Sequence, residues 1–206
     1  SYSRMSTLEV GTIAPISGSN DVTLGGSSKN IKFASGTTVD FSTNTPTVSG
    51  LPANTPSFQA KLSTNTTISD ATTTLMPLNT EQLDTDGCYN NTGSTVTLNG
   101  ISTPSYAFAP NVAGNYHIQA QSVGYGGSTS GLTTQSTFLY FNGSAVKSSG
   151  INLTSNAGYV MGATVQMILT FNGTSDYVQA YAYIDGNSEA RLQAHDHCTI
   201  SGYRLI

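Results

Sequence analysis

Short alternating segments dominate the first fifty residues of the chain. Two apolar residues separated by one polar residue recur three times, at Val22/Leu24, Ile31/Phe33 and Val39/Phe41. Alternation with a period of two is typical of a β-strand with one apolar face. Each such strand offers only two side chains to a core, which is too little to offset the entropy lost on ordering. We therefore expect residues 1–50 to form an attachment segment and β-repeat stalk, in which these six side chains pack against the same segment of neighbouring chains. A disordered Ser/Thr linker is the alternative.

The pattern changes after residue 50, where Pro46, Pro52 and Pro56 cluster and indicate a boundary. In residues 51–206, runs typical of strands cover 58–62, 75–78, 106–108, 116–123, 137–141, 159–171, 177–184 and 199–206. Turn dipeptides stand between them at Asn99-Gly100, Asn142-Gly143, Asn172-Gly173 and Asp185-Gly186. No segment shows a sustained helical period, so we predict an all-β second domain, a two-sheet sandwich or jelly roll.

Composition narrows the possible partners. Only 9% of the residues are charged, and the seven Lys and Arg side chains leave a net charge of −4. This is too little positive charge for the basic stripe that nucleic-acid binding requires. No apolar run approaches the length of a membrane span, so we expect no membrane insertion, and residues 1–10 show no secretory-signal pattern.

Five short motifs follow one another in the second domain: PSFQA at 56–60, YAFAPNVAGNY at 106–116, YFNG at 140–143, DYV at 176–178 and SGYRL at 201–205. In order and content they resemble the globular head of complement's first-component q subunit (C1q) and the tumour-necrosis-factor-like (TNF-like) jelly rolls. One departure is Ser175, which stands where that family usually has a glycine before Asp176. The resemblance implies a ten-strand-type jelly-roll sandwich that forms a homotrimer.

The same resemblance implies that the sheet bearing the first and last strands faces the threefold axis. Along the segment 115–121, alternation places Tyr116 and Ile118 on one face and His117 and Gln119 on the other. The first face suits a core and the second a polar subunit interface. We therefore expect His117, Gln119 and, from the last strand, Tyr203 at the trimer interface.

A slender repeat stalk below a trimeric head is similar to bacteriophage fibres and spikes. The expected function is that of a non-enzymatic virion protein, a tail or capsid fibre or spike that is assembled in the host cytoplasm and located in the virion. Its first segment would bind other virion proteins, and its head would bind a host-surface protein or glycan. A capsid decoration (cement) protein, a secreted recognition module of the same head family and an enzyme are the alternatives.

The segment His195-Asp196-His197 is a candidate metal site. On a strand, the imidazoles of His195 and His197 point the same way, and three chains would supply six nitrogens, an octahedral set suited to a transition metal. Histidine pairs of this spacing occur in phage fibres, and the similarity of this chain to such fibres therefore favours a metal site. The simpler interpretation is a solvated loop before the last strand.

The remaining candidate groups have mainly structural explanations. Cys88 and Cys198 are expected to be isolated buried thiols, with a single disulfide as the alternative. The carboxylates of Asp176, Asp185, Glu189 and Asp196 are expected in turns, although a pair could serve glycan cleavage and a cluster in the head loops could bind calcium. No nucleophile elbow accompanies the three histidines, so we expect no catalysis. The tyrosines at 125, 140, 159, 177, 181, 183 and 203 are expected in the core or at the subunit interface, with a sugar-binding or protein-binding surface as the alternative.

Overall fold

The computed structural model describes residues 54–127, 131–154, 158–186 and 189–206. All regular secondary structure in these residues is β, and the strand pairs are antiparallel. Within the same ranges, no helix is long and apolar enough to cross a membrane. The predicted stalk residues Val22, Leu24, Ile31, Phe33, Val39 and Phe41 lie outside the described residues. The stalk and its boundary at residues 50/51 therefore remain predictions.

The larger sheet holds the first and last strands side by side at its centre. Its main strands are β1 (Ser57–Leu62), β4 (Thr80–Asp84), β8 (Gly114–Tyr125), β11 (Val160–Phe171) and β14 (His195–Arg204), in the spatial order β4, β1, β14, β8, β11. Two short strands, β2 (Thr66–Thr67) and β13 (Arg191–Leu192), continue the sheet beside the end of β8.

The smaller sheet packs on the other side of the core. It contains β3 (Thr74–Leu75), β7 (Ala107–Phe108), β9 (Leu132–Phe141), β10 (Ser144–Asn152) and β12 (Val178–Gly186). Strand β10 pairs with β9, β9 pairs with β12, and both β3 and β7 pair with β12. A separate hairpin joins β5 (Val96–Leu98) to β6 (Ile101–Thr103). Two antiparallel sheets, of seven and five strands, confirm the predicted all-β jelly-roll sandwich.

Alternation along β8 shows how the sequence directs side chains into this core. Tyr116, Ile118 and Ala120 are completely buried, whereas His117 and Gln119 are only partly buried on the opposite face. This confirms the predicted core face of the strand. The Tyr116 hydroxyl also donates a hydrogen bond of 2.7 Å to the carbonyl of Val112, so the tyrosine of the 106–116 motif fixes the loop that precedes it.

An aromatic cluster fills the space between the sheets at this end. Phe58 and Phe108 stack with ring centroids 3.9 Å apart, and Phe171 meets Tyr116 edge to face at 5.1 Å. Phe108 also meets Tyr116 and Phe171 edge to face, so the four rings form one contact network. Phe58 belongs to the first sequence motif and Phe108 and Tyr116 belong to the second, while Phe171 ends β11, the strand before the fourth motif. The motifs are therefore brought together by core packing.

Turn chemistry fixes most of the connections. Asn99-Gly100 and Asn142-Gly143 both have positive φ at both residues and join β5 to β6 and β9 to β10, as predicted. At Asn172-Gly173, the Asn172 side chain accepts backbone hydrogen bonds from Thr174 and Ser175, which confirms a turn. The prediction of a turn at Asp185-Gly186 was wrong. Both residues belong to β12, where the register shifts against β9 and forms an irregularity instead.

Several strand bounds also differ from the sequence prediction. Of the predicted strand 75–78, only Leu75 lies in a strand. Met76 and Leu78 are buried in the core, but they lie beyond the end of β3. The last strand begins at His195 and ends at Arg204. Strands β4 and β10 were not predicted, since neither shows apolar alternation.

Candidate functional site

The outer face of the larger sheet brings together the side chains predicted for a subunit interface. In the strand register, His117 on β8 is paired with Tyr203 on β14 on one side and with Ile168 on β11 on the other. The rings of His117 and Tyr203 lie 5.5 Å apart, centroid to centroid. We call this the histidine row. Its residues are neighbours in one chain, and their role in contacts between chains remains a prediction.

A second row of uncharged polar side chains runs parallel to the histidine row. Gln119 on β8 is paired with Ser201 on β14 and Gln166 on β11, and Ser201 is paired in turn with Gln59 on β1. Leu83 on β4 stands beside Gln59 at the end of this row. We call it the amide row. Amide groups both donate and accept hydrogen bonds, so this row suits contact with a polar surface.

Large apolar side chains are exposed on both rows. Leu83 is 47% exposed, Tyr203 42% and Ile168 59%. Neither row contains an Asp, Glu, Lys or Arg residue. An exposed surface that combines apolar and uncharged polar side chains in this way is characteristic of a contact region, since charged residues are depleted at the centre of protein interfaces.

A concavity of about 500 Å³ lies in the same face. Its walls include Leu83, His117 and Tyr203, and its floor includes Phe58 and Gly202. A Cβ atom on Gly202 would lie 2.5 Å from Ile118 Cδ1 and 3.0 Å from Phe58 Cε1. The glycine therefore allows Phe58 and Ile118 to pack against the backbone of β14.

Charged groups begin only one row further along the sheet. Lys61 Nζ lies 3.0 Å from the Asp196 carboxylate. The hydrogen bond from Lys61 and its positive charge hold the pKa of Asp196 below its usual range. The Asp196 side chain is 81% exposed and that of Lys61 25%, so solvent screens the ion pair and it contributes little to stability.

The candidate metal residues His195 and His197 lie at the start of β14. The interpretation as a loop before the last strand was wrong, because all three residues 195–197 belong to the strand, although all are exposed. His195 has a positive φ of 61°, and the register of β14 against β1 is irregular there. Within the described part of a single chain, no group of three or more His, Cys, Asp or Glu side chains gathers to hold a metal. A site shared by three chains remains a prediction.

The other candidate groups have structural partners. Asp176 accepts hydrogen bonds from the Asn142 side chain and the Asn172 backbone, both at 2.8 Å, so it organises a turn as expected. Glu189 lies 3.5 Å from Arg191, and Asp185 is a residue of β12. The proposed calcium cluster in the head loops is likewise absent from the residues that the structure describes.

Cys88 and Cys198 are free and buried, in agreement with the expectation of isolated thiols. Burial raises the pKa of Cys198 to about 11, and it also raises the pKa of Cys88. A thiol with a raised pKa is protonated at neutral pH and is a poor nucleophile. Neither cysteine is therefore suited to nucleophilic catalysis.

Sequence reasoning missed Leu83, Ile168 and Gly202 at this face. Leu83 belongs to a strand whose sequence, Thr-Glu-Gln-Leu-Asp, has no apolar alternation. The sequence did contain a signal for Ile168, because Met167, Ile168 and Leu169 are consecutive apolar residues. Successive residues of a strand point to opposite faces, so at least one of the three must lie on the face away from the core. Nothing in the sequence alone distinguishes Gly202 from the other glycines.

Comparisons with known proteins give similarity in structure only. No protein-family model and no curated protein matches the sequence. The globular domain of the zebrafish complement 1qA protein is similar over 73% of this chain and 98% of its own, with 12% identity and a TM-score of 0.49. Eiger TNF from S. frugiperda is similar over 73% and 94%, with 9% identity and a TM-score of 0.49. Murine APRIL at pH 5.0 is similar over 72% and 99%, with 11% identity and a TM-score of 0.47. The strand order of the two sheets shows that the described unit is an antiparallel jelly-roll sandwich, the architecture that the sequence predicts.

Proposed function

We propose that this chain is a non-enzymatic, homotrimeric virion fibre or spike protein whose jelly-roll head binds the host surface. The observation that supports it most strongly is the outer face of the larger sheet. There, the histidine and amide rows expose apolar area and contain no Asp, Glu, Lys or Arg residue.

Association of identical chains accounts for this face better than a solvent-exposed role does. Leu83, Tyr203 and Ile168 are exposed to water in the single chain. Burying their apolar surface in an interface would contribute about 25 cal/mol of free energy for each Å² removed from water. Because the rows contain no carboxylate, copies with a net charge of −4 can approach through them without bringing carboxylates together. The side chains of Gln59, Gln119 and Gln166 can pair across such an interface.

Patches at opposite edges of the larger sheet support a closed ring of identical chains. The concavity and Leu83 lie toward the β4 edge of the sheet, whereas Ile168 lies on β11 at the opposite edge. Contacts between unlike patches of identical chains form rings when the rotation closes. The sequence resemblance favours a threefold ring, with the sheet of the first and last strands facing inward.

The virion role rests on the first fifty residues and on composition. Repeated short alternating segments cannot form a core alone, and a trimeric head would place three copies of them side by side. A chain in which only 9% of the residues are charged, and in which Ser, Thr, Gly and Asn are abundant, suits a polar β fibre. Three weak sites on one rigid axis would then convert modest contacts into durable attachment.

Binding to host cells tests this function. Fluorescently labelled full-length chain is incubated with cells that the virus infects and with resistant cells, and bound label is measured with and without excess unlabelled chain. The proposal expects saturable binding to susceptible cells only. Binding to capsids in the absence of cell binding would instead identify a decoration protein.

A further inference from the structure

All three histidines of the chain lie on the larger sheet. His117 is on β8, whereas His195 and His197 are at the start of β14. His197 is six positions before Tyr203, the strand partner of His117, and therefore lies about 20 Å from it along an extended strand. His117 is thus the one imidazole in the histidine row, well separated from the other two.

The outer face of the smaller sheet carries tyrosines in place of histidines. Tyr140 and Tyr181 stack there with ring centroids 4.0 Å apart. Their strand neighbours Leu139 and Ala180 are buried in the core, so these rings point away from it. They therefore lie outside the core, in contrast to the first expectation for them, and away from the face proposed for subunit contact. Phenols, unlike imidazoles, do not change charge between pH 8 and pH 5.

His117 is surrounded by uncharged groups on its own face of the sheet. Its strand partners are Tyr203 on one side and Ile168 on the other. Along β8, the residues that share its face are Asn115 and Gln119. His117 also borders the concavity of about 500 Å³, and no Asp, Glu, Lys or Arg residue is among those that line it.

The charged side chains of β1, β13 and β14 have other partners. Lys61 pairs with Asp196 beyond the amide row, and Arg191 pairs with Glu189 beside the end of β8. Arg204 follows Tyr203 on β14 and is the register partner of the buried Tyr116, so it extends from the opposite face of the strand. Strands β8 and β11 contain no Asp, Glu, Lys or Arg residue.

The two carboxylates of β4 turn toward the loop that follows this strand. Glu81 accepts a hydrogen bond of 3.4 Å from the Asn91 side chain, and Asp84 accepts one of 2.8 Å from the Tyr89 backbone. Burial raises the pKa of Glu81, so it takes up a proton at a higher pH than an ordinary glutamate. Losing this negative charge in acid would lessen repulsion between copies. No carboxylate of the described residues on the larger sheet therefore faces His117 to balance a positive charge.

A proton on His117 would oppose association through the histidine row. An imidazolium covered by another copy loses its water, and burying a charge without a compensating partner is unfavourable. The Tyr203 ring, 5.5 Å away and tilted by 37°, is a cation–π partner in the single chain as well. Its attraction is therefore present before and after association, and it does not offset the lost hydration.

We propose that His117 makes the subunit face acid-sensitive, so that copies associate while its imidazole is neutral and separate when it is protonated. This inference rests on the proposed function for the association and adds its regulation. Because the associated state favours the neutral ring, the affinity is full above the titration of the free imidazole and falls as the pH drops through it. The loss is up to about tenfold per pH unit for each copy.

Sedimentation equilibrium of the full-length chain at pH 7.5 and pH 5.0 provides the test. A dilution series at one ionic strength gives the association constant at each pH, and the readout is the ratio of the two constants. A chelator in both buffers removes any contribution from a metal at His195 and His197. The constant is expected to be at least about thirtyfold smaller at pH 5.0. Circular dichroism at both pH values establishes that the chain remains folded.

Variants assign the effect to one side chain. His117→Gln keeps a polar group and His117→Phe keeps a ring, and neither can take up a proton. In both, the two constants are expected to agree within about threefold. His197→Gln makes the same chemical change at the far end of β14 and is expected to keep the parent ratio. Since the readout is a ratio, a variant with weaker association at both pH values remains informative.

Two results would overturn the inference: equal association constants of the parent at the two pH values, or an acid effect that survives in both His117 variants. If the parent is nevertheless trimeric at pH 7.5 and binds cells, the proposed function stands. A dimer that separates in acid through His117 would preserve the inference and overturn the proposed trimer. A chain that is monomeric at both pH values would overturn both.

Discussion

His117 and Tyr203 lie next to each other on neighbouring strands of the larger sheet, with ring centroids 5.5 Å apart on its outer face. His117 is the register partner of Ile168 on its other side. The three side chains form a continuous row of apolar and weakly polar surface across β14, β8 and β11. Because this surface faces away from the core, the described part of its own chain leaves Ile168 and Tyr203 exposed.

Placing a charge in the histidine row is expected to prevent association. Ile168→Glu would bury an unpaired carboxylate at the interface, so the affinity between chains should fall at least about a hundredfold. Sedimentation velocity measures the change in mass. Ile151→Glu is the matched control, because Ile151 is 40% exposed on β10 of the other sheet. Equal sedimentation of the two variants as trimers would exclude Ile168 from the interface.

Gly202→Ala is expected to lower the free energy of unfolding by about 1–3 kcal/mol, since the new methyl group would overlap Ile118, the His117 carbonyl and Phe58. Chemical denaturation of the full chain measures the effect. Gly162→Ala on β11 is the control, because its nearest neighbour is the Val123 side chain at 3.1 Å. A Gly202→Ala protein as stable as the parent would mean that Phe58 and Ile118 can move aside freely.

A buried hydrogen-bond chain links the two sheets, and its loss should also be destabilising. Gln135 donates to Ser122 Oγ, Ser122 and Thr137 share a hydrogen bond of 2.6 Å, and Thr137 donates to the Ala163 carbonyl at 2.7 Å. Thr137→Val leaves buried groups unpaired and should cost about 1–3 kcal/mol. Thr134→Val, a half-buried position on the same strand, should cost less than about 0.5 kcal/mol. Similar denaturation midpoints for both variants would contradict a stabilising role for this chain.

The ion pair of Lys61 and Asp196 makes a prediction about pH. Because Lys61 lowers the pKa of Asp196, the pair favours the folded state when the carboxylate is ionised, and this contribution is lost as the pH falls through the lowered pKa. Titration of the Asp196 carboxyl carbon by NMR should give a value below the ordinary range for aspartate. In Lys61→Gln it should return toward that range. A titration unaffected by this substitution would show that the pair does not persist in solution.

The sequence predicted best those elements whose pattern is set by one-sided burial. Strand β8 alternates strictly, so both its core residue Tyr116 and its outward residue His117 could be assigned. The Asn142-Gly143 hairpin could be assigned because its positive φ values favour that dipeptide. Strand β10 could not be, because all nine of its residues are exposed and no apolar period exists to reveal it.

The candidate sites depended more on tertiary contacts than the fold did. Tyr203 and His117 are 86 positions apart in sequence, and only the resemblance to a known head suggested that they meet. Leu83 joins them because an unpredicted strand pairs with β1. The register shift in β10 between Ala145 and Lys147 is likewise a local irregularity that no sequence period encodes.

The solution mass of the full-length chain tests the central claim most directly. At micromolar concentration, multi-angle light scattering should give three times the chain mass of 21.4 kDa, and Ile168→Glu should reduce it to that of a single chain. A parent protein that remains a folded monomer of 21.4 kDa at the same concentration would contradict both the subunit interface and the attachment function built on it.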